Sequence, residues 1–128
     1  MHVENLPPDY VILILAAGNS SRLGQPKQLL PYQQGYLLTN TIQQTVSIPN
    51  SRTIVVLGAY EDDIKKSIPH SVDIAFNPNW QEGMGYSIRV GMERIEQIAP
   101  TKGCIICVCD QPFLSSEVLE QLIYRHQQ

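Results

Sequence analysis

Residues 10–31 read YVILILAAGNSSRLGQPKQLLP. The opening seven, Tyr10–Ala16, are apolar almost throughout, as expected of a parallel strand covered on both faces. The run then breaks into alanine, glycine and serine. Gly18 and Gly24 permit close backbone approach, and Ala16, Ala17, Ser20 and Ser21 are small. Backbone N–H groups in such a turn can point at phosphate oxygens. Arg22 and Lys27 add two positive charges to the same loop. It is not a Walker loop, because Lys27 follows Pro26 and no Ser or Thr follows it, and G-x-G-x-x-G is absent. Taken alone, the stretch fits a phosphate cradle and also a plain turn.

Three further apolar runs have strand length: Thr53–Gly58, Val72–Phe76 and Cys104–Cys109. Helical patterns fall between and after them. Leu37, Leu38, Ile42 and Thr45/Val46 form a stripe. YEDDIKKSI carries acids near its start and lysines near its end, as the helix dipole prefers. Tyr86–Ile98 places Ile88, Met92, Ile95 and Ala99 at helical spacing, and SSEVLEQLIYRHQ places Val118, Leu119, Leu122 and Ile123 inward, capped by Ser115 or Ser116. The order βαβαβαβα predicts an α/β fold: a Rossmann-like, three-layer α/β/α arrangement around a mostly parallel sheet. Such sheets bind ligands beyond the carboxyl ends of their strands, near the topological switch. The opening loop and the Asp110-Gln111-Pro112 turn should both lie there.

Composition narrows the function. The chain has 128 residues, 43% apolar and 16% charged, with a net charge of -3. These values suit one globular domain, with residues 1–9 as an N-terminal extension and 10–128 as the folded part. The charge gives neither a basic footprint for nucleic acid nor a polybasic membrane patch. No targeting signal is visible, so a cytoplasmic location is expected. On a strand, Cys107 and Cys109 share one face and Cys104 takes the other, which argues against a converging metal cage. His2, His70 and His126 lack partners at metal-ligand spacing and read as surface residues.

Two other stretches can carry chemistry. Asp110 ends a fully apolar strand, where a carboxylate is costly unless solvated, paired or metal-bound. Its position leaves open a Mg²⁺ ligand and a turn or helix cap. NPNWQEGMGYSIRVG, 77–91, loosens a helix entry with Gly83 and Gly85, sets Ser87 near the helix start, and offers Trp80 for packing or stacking. Ser20-Ser21 is no nucleophile elbow, since G-x-S-x-G is missing.

Together the three stretches resemble the MobA-like NTP transferases, nucleotidyltransferases with a glycosyltransferase-A-like fold (the nucleotide-diphospho-sugar transferase fold). LAAGNSSRLGQPKQLLP is similar to their L-A-A/G-G-x-x-x-R-(M/L/F)-G-…-K-x-L-L loop. NPNWQEGMGYSIRVG is similar to the N-P-x-W-x-x-G-M-x-x-S stretch of the molybdenum cofactor cytidylyltransferase branch, and DQP to its Asp-x-Pro. The resemblance runs from about Val11 to the end of the chain. It implies that Leu15, Ala16, Ala17 and Gly18 line the nucleotide site, that Gly83 and Ser87 contact base or ribose, that Arg22 and Lys27 are catalytic, neutralising the triphosphate and attacking phosphate, and that Asp110 holds Mg²⁺. Ala17, where the guanylyltransferase branch has glycine, favours CTP.

The implied activity moves CMP from CTP onto a phosphorylated small molecule, with molybdopterin as the acceptor, and releases pyrophosphate. A sugar-phosphate or isoprenoid-pathway nucleotidyltransferase is the alternative enzyme. The family continues beyond the DQP helix with further strands and an acceptor pocket. The chain therefore reads as truncated at its C-terminus, or as completed by a second copy in a homo-oligomer, with a cofactor-receiving molybdoenzyme as a further partner. A non-catalytic nucleotide-binding module is the remaining alternative, and little transferase activity is expected of these residues alone.

Overall fold

In a computed structural model of the chain, described over residues 8–18, 27–29, 31–32, 35–98, 101–108 and 115–127, the apolar run becomes strand β1 (Tyr10–Ala16). Every residue of β1 is buried. A short antiparallel pair follows, β2 (Pro31–Tyr32) and β3 (Gly35–Tyr36), which the sequence patterns do not announce. Then come α1 (Leu37–Val46), β4 (Ser51–Leu57), α2 (Glu61–Lys65), β5 (Asp73–Phe76), α3 (Met84–Glu96), β6 (Gly103–Val108) and α4 (Ser116–Gln127).

The main sheet is parallel and four-stranded in the order β5-β4-β1-β6. Strand β1 sits inside it, with Tyr10 level with Ser51 of β4 on one side and Gly103 of β6 on the other. Consecutive main strands therefore step outward from β1 to β5, and the chain then returns to pair β6 on the free side of β1. The strand order reverses there, which makes the carboxyl end of β1 the topological switch.

Alternation along β1 splits the core into two layers. Ile12, Ile14 and Ala16 pack with Leu38, Ile42, Val55, Leu57 and Leu119. Val11, Leu13 and Leu15 pack with Ile54 and Val56, beneath Trp80, Ile88 and Ile95. The cysteines divide as strand geometry requires. Cys107 joins the first layer and Cys104 borders the second. No group of three or more His, Cys, Asp or Glu converges among the described residues. Cys109 lies outside them.

The helix faces need correction. In α3 the inward line runs through Ser87 and Gly91, while Met92 is 40% exposed. The cause is close contact with the sheet: a Cβ on Gly91 would stand 2.5 Å from both Leu13 methyls, so the contact line centres on Gly91. In α4 Leu119 is buried and Ile123 packs at the core edge, whereas Val118 and Leu122 face outward. On this helix the i,i+4 pair Leu119 and Ile123 joins the core. In α1 Val46 is exposed and Thr45 is buried, its hydroxyl accepting from Thr53 Oγ1 at 2.9 Å.

Two caps explain where helices begin and end. Ser115 caps α4: its Oγ accepts from Val118 N at 3.2 Å. Gln44 Oε1 accepts from Ser116 N at 3.0 Å and ties α4 to α1. The second helix begins after Tyr60, which stands in the left-handed region at φ 61°, and Ser67 Oγ donates back to Ile64 O just past its end. His126 is exposed, as expected, but Tyr10 Oη and its Nδ1 lie 2.8 Å apart.

Candidate functional site

A cavity of about 330 Å³ opens at the carboxyl end of β1. Its floor is the strand exit itself: Leu15, Ala16, Ala17 and Gly18 all line it. Gly83, Met84 and Ser87 line it from the start of α3, and Val108, at the end of β6, lines it too. Six sequence-selected residues, Leu15 to Gly18 with Gly83 and Ser87, are therefore brought to one cavity.

Each wall has a physical cause. The β1 exit packs against Gly58, and Ala59 N donates to Ala17 O at 3.1 Å. The approach is tight: a Cβ on Gly58 would lie 2.6 Å from Trp80 Cβ and 2.9 Å from Ala17 Cβ. Trp80 is thus wedged against the β1 exit while still lining the cavity. It combines packing with a place beside any occupant. Gly83 enters α3 at φ +106°, a conformation that a side chain would strain.

Opposite the alanines, Ser87 is fixed by Asn77. Asn77 is fully buried at the end of β5, and its Nδ2 donates to Ser87 Oγ at 3.0 Å. Asn77 Oδ1 accepts from Asn79 N at 2.8 Å, which sets the orientation of the amide. With its oxygen accepting from Asn77, the Ser87 hydroxyl keeps its own proton to donate into the cavity.

Gln28 is a second residue that the sequence patterns did not mark. It sits in a short turn, Lys27–Leu29, is 1% exposed and lines the cavity. Its Nε2 donates to Ala16 O at 2.8 Å and to Gly18 O at 3.4 Å. A glutamine in a polar loop ordinarily reads as solvated, so nothing in the sequence pattern signals its burial. The backbone of Lys27 begins the same turn, but its side chain lies outside the described structure, as do Arg22 and Asp110. The described walls are mostly apolar and carry no acidic side chain. The arrangement can hold a flat polar heterocycle or sugar and offers it backbone groups and one serine hydroxyl.

Residues 12–128 match the sequence model of the MobA-like NTP transferase domain. The chain is 28% identical over 112 residues to the molybdenum cofactor cytidylyltransferase of Escherichia coli K12, covering 86% of this chain and 56% of that protein. It is 28% identical over 119 residues to a probable molybdenum cofactor guanylyltransferase of Rhodopirellula baltica, covering 92% and 56%. It is 32% identical over 117 residues to the nicotine blue oxidoreductase of Paenarthrobacter nicotinovorans, covering 89% and 55%. The chain thus spans little more than half the length of these relatives. Among solved structures, Rv0371c of Mycobacterium tuberculosis superposes with a TM-score of 0.82 at 27% identity, over 93% of this chain and 61% of that one. A manganese complex of Rv0371c superposes at 0.73 and 23% identity, over 91% and 58%.

Proposed function

The chain belongs to the MobA-like NTP transferase family, and from that premise we propose that it is the nucleotide-binding part, residues 10–128, of a cytidylyltransferase. The observation that carries the reading is the cavity at the switch of the sheet, where Leu15–Gly18 face Gly83 and Ser87. Ala17 at the floor favours CTP, and the E. coli relative supports molybdopterin as the phosphorylated acceptor. No described helix is long and apolar enough to cross a membrane.

In the reaction, a phosphate oxygen of the acceptor attacks the α-phosphorus of CTP. The bond from that phosphorus to the bridging oxygen breaks, and pyrophosphate leaves with the electron pair. No side-chain nucleophile is required. Catalysis then rests on positioning and on neutralising charge. Leu15–Gly18 seat the nucleoside, Ser87 donates to base or ribose, and Arg22 and Lys27 neutralise the phosphates. Asp110 is the residue we assign to Mg²⁺. It stands two positions past Val108, which lines the cavity, and a carboxylate is the hard oxygen donor this ion prefers. The manganese complex of the mycobacterial protein supports a divalent ion in this fold. Bound there, the ion would supply further charge neutralisation.

The alternative reading is nucleotide binding without transfer. Thermal shift with CTP, GTP and ATP in the presence of Mg²⁺ tests the first half. CTP should stabilise most, by about 2.7 kcal/mol at a hundred times its Kd. Greater stabilisation by GTP would overturn the assignment of Ala17. Pyrophosphate release with acceptor then separates transfer from binding alone.

A further inference from the structure

Gln28 carries an unmet requirement. Its side chain is buried, its Nε2 is committed to the carbonyls of Ala16 and Gly18, and its Oε1 has no hydrogen-bond partner among the described residues. The amide cannot simply be turned over, because Oε1 would then face those two carbonyl oxygens. Buried acceptors without a donor are rare in native proteins, and each needs a reason. Gln28 lines the proposed nucleotide cavity and is only 1% exposed. The cavity that Gln28 lines is the space beside it where a bound molecule could bring a donor to Oε1.

We propose that Gln28 is a specificity-determining residue of the nucleotide site. Its Nε2 holds the β1 exit in shape, and its Oε1 accepts a hydrogen bond from a donor group of the bound nucleoside. This rests on the nucleotide reading above. The donor is an N–H or O–H, and a cytidine nucleotide offers two kinds: the amino group of the base and the ribose hydroxyls. Both chemistries are the same to Oε1, and ligand analogues tell them apart.

The test is calorimetric titration of the 128-residue chain, in Mg²⁺, with CTP, 2′-deoxy-CTP, 3′-deoxy-CTP and the triphosphate of the cytidine analogue that lacks the 4-amino group. One analogue should bind the parent about tenfold more weakly than CTP, the size expected when a neutral partner is deleted. Gln28→Met should bind CTP about tenfold more weakly and lose discrimination against that same analogue. If Gln28→Met weakens CTP and all three analogues by one common factor, the residue only shapes the loop and the inference is overturned. Should the variant not fold, the parent alone decides: equal affinity for CTP and all three analogues overturns the inference while leaving nucleotide binding intact. If no nucleoside triphosphate binds the parent, the nucleotide reading fails and this inference with it.

Discussion

Asn77 and Ser87 form a buried pair in which the amide Nδ2 donates to the hydroxyl at 3.0 Å. They come from different elements, the end of β5 and the first turn of α3. The pair fixes where α3 begins relative to the sheet, and so fixes one wall of the cavity. Asn77→Ala should cost about 1–3 kcal/mol, because it strands the Asn79 amide and frees the serine. Asn77→Asp keeps an acceptor for Asn79 N but loses the donor to Ser87. If the pair orients Ser87 for a ligand, both variants should weaken CTP binding, and urea denaturation should show both as less stable than the parent. Unchanged CTP affinity in both would confine the pair to folding.

Gly58 is where the β1 exit, the end of β4 and Trp80 meet. An added methyl would be 2.6 Å from Trp80 Cβ and 3.0 Å from Ala17 O. Gly58→Ala should displace Trp80 and destabilise by about 1–3 kcal/mol, as overpacking does. Tryptophan fluorescence offers a direct readout, since Trp80 is the chain's single tryptophan. A spectrum and a denaturation midpoint that match the parent would show that the wedge is loose.

Lys27→Ala should depress turnover more than it weakens CTP binding, because its charge is assigned to phosphates that develop and leave during reaction. The comparison is kcat against CTP Kd. Equal turnover in variant and parent removes Lys27 from the chemistry.

Burial pushes the Cys104 thiol above the usual thiol range. The folded chain therefore keeps this proton at alkaline pH where the unfolded chain has lost it. The associated stability is fully present below the ordinary thiol range and falls as pH rises through the folded value. Iodoacetamide should label Cys104 more slowly in the native chain than in urea at the same pH. Cys104→Ala should flatten the alkaline loss of stability in denaturant titrations. An alkaline slope identical in parent and variant would assign it elsewhere.

Strand β6 pairs with β1 alone among the described residues, and Ile106 on it is 46% exposed. An apolar edge of this kind invites further pairing. Ile106→Lys should reduce self-association measured by sedimentation at rising concentration. A parent that stays monomeric throughout would show that the edge is not sticky.

The sheet was legible because its strands obey a simple rule. A strand buried on both faces must be apolar throughout, and 10–16 is. The parallel arrangement of the four main strands likewise followed from the alternation of strands and helices. Small residues at the β1 exit were legible as well, since only they leave a cavity there. The helix faces were less so. Gly91 carries no hydropathy signal, yet its contact with Leu13 turns the α3 stripe away from Met92. Asn77 and Gln28 were invisible for a related reason. Their importance lies in partners set by tertiary contact, Ser87 in one case and the Ala16 and Gly18 carbonyls in the other. In sequence, an Asn before Pro marks a strand end, and a Gln after Lys marks a solvated loop.

The position of β1 between β4 and β6 also sets a sequence of events during folding. Its partner on one side, beginning at Ser51, lies far nearer in the chain than its partner on the other, beginning at Gly103. Closing the longer loop costs more entropy before any contact repays it. The β1–β4 pairing should therefore nucleate the sheet, and β6 should dock late. Until it does, one flank of β1 stands open beneath the cavity, so the cavity wall at Val108 is the last part of the pocket to be built.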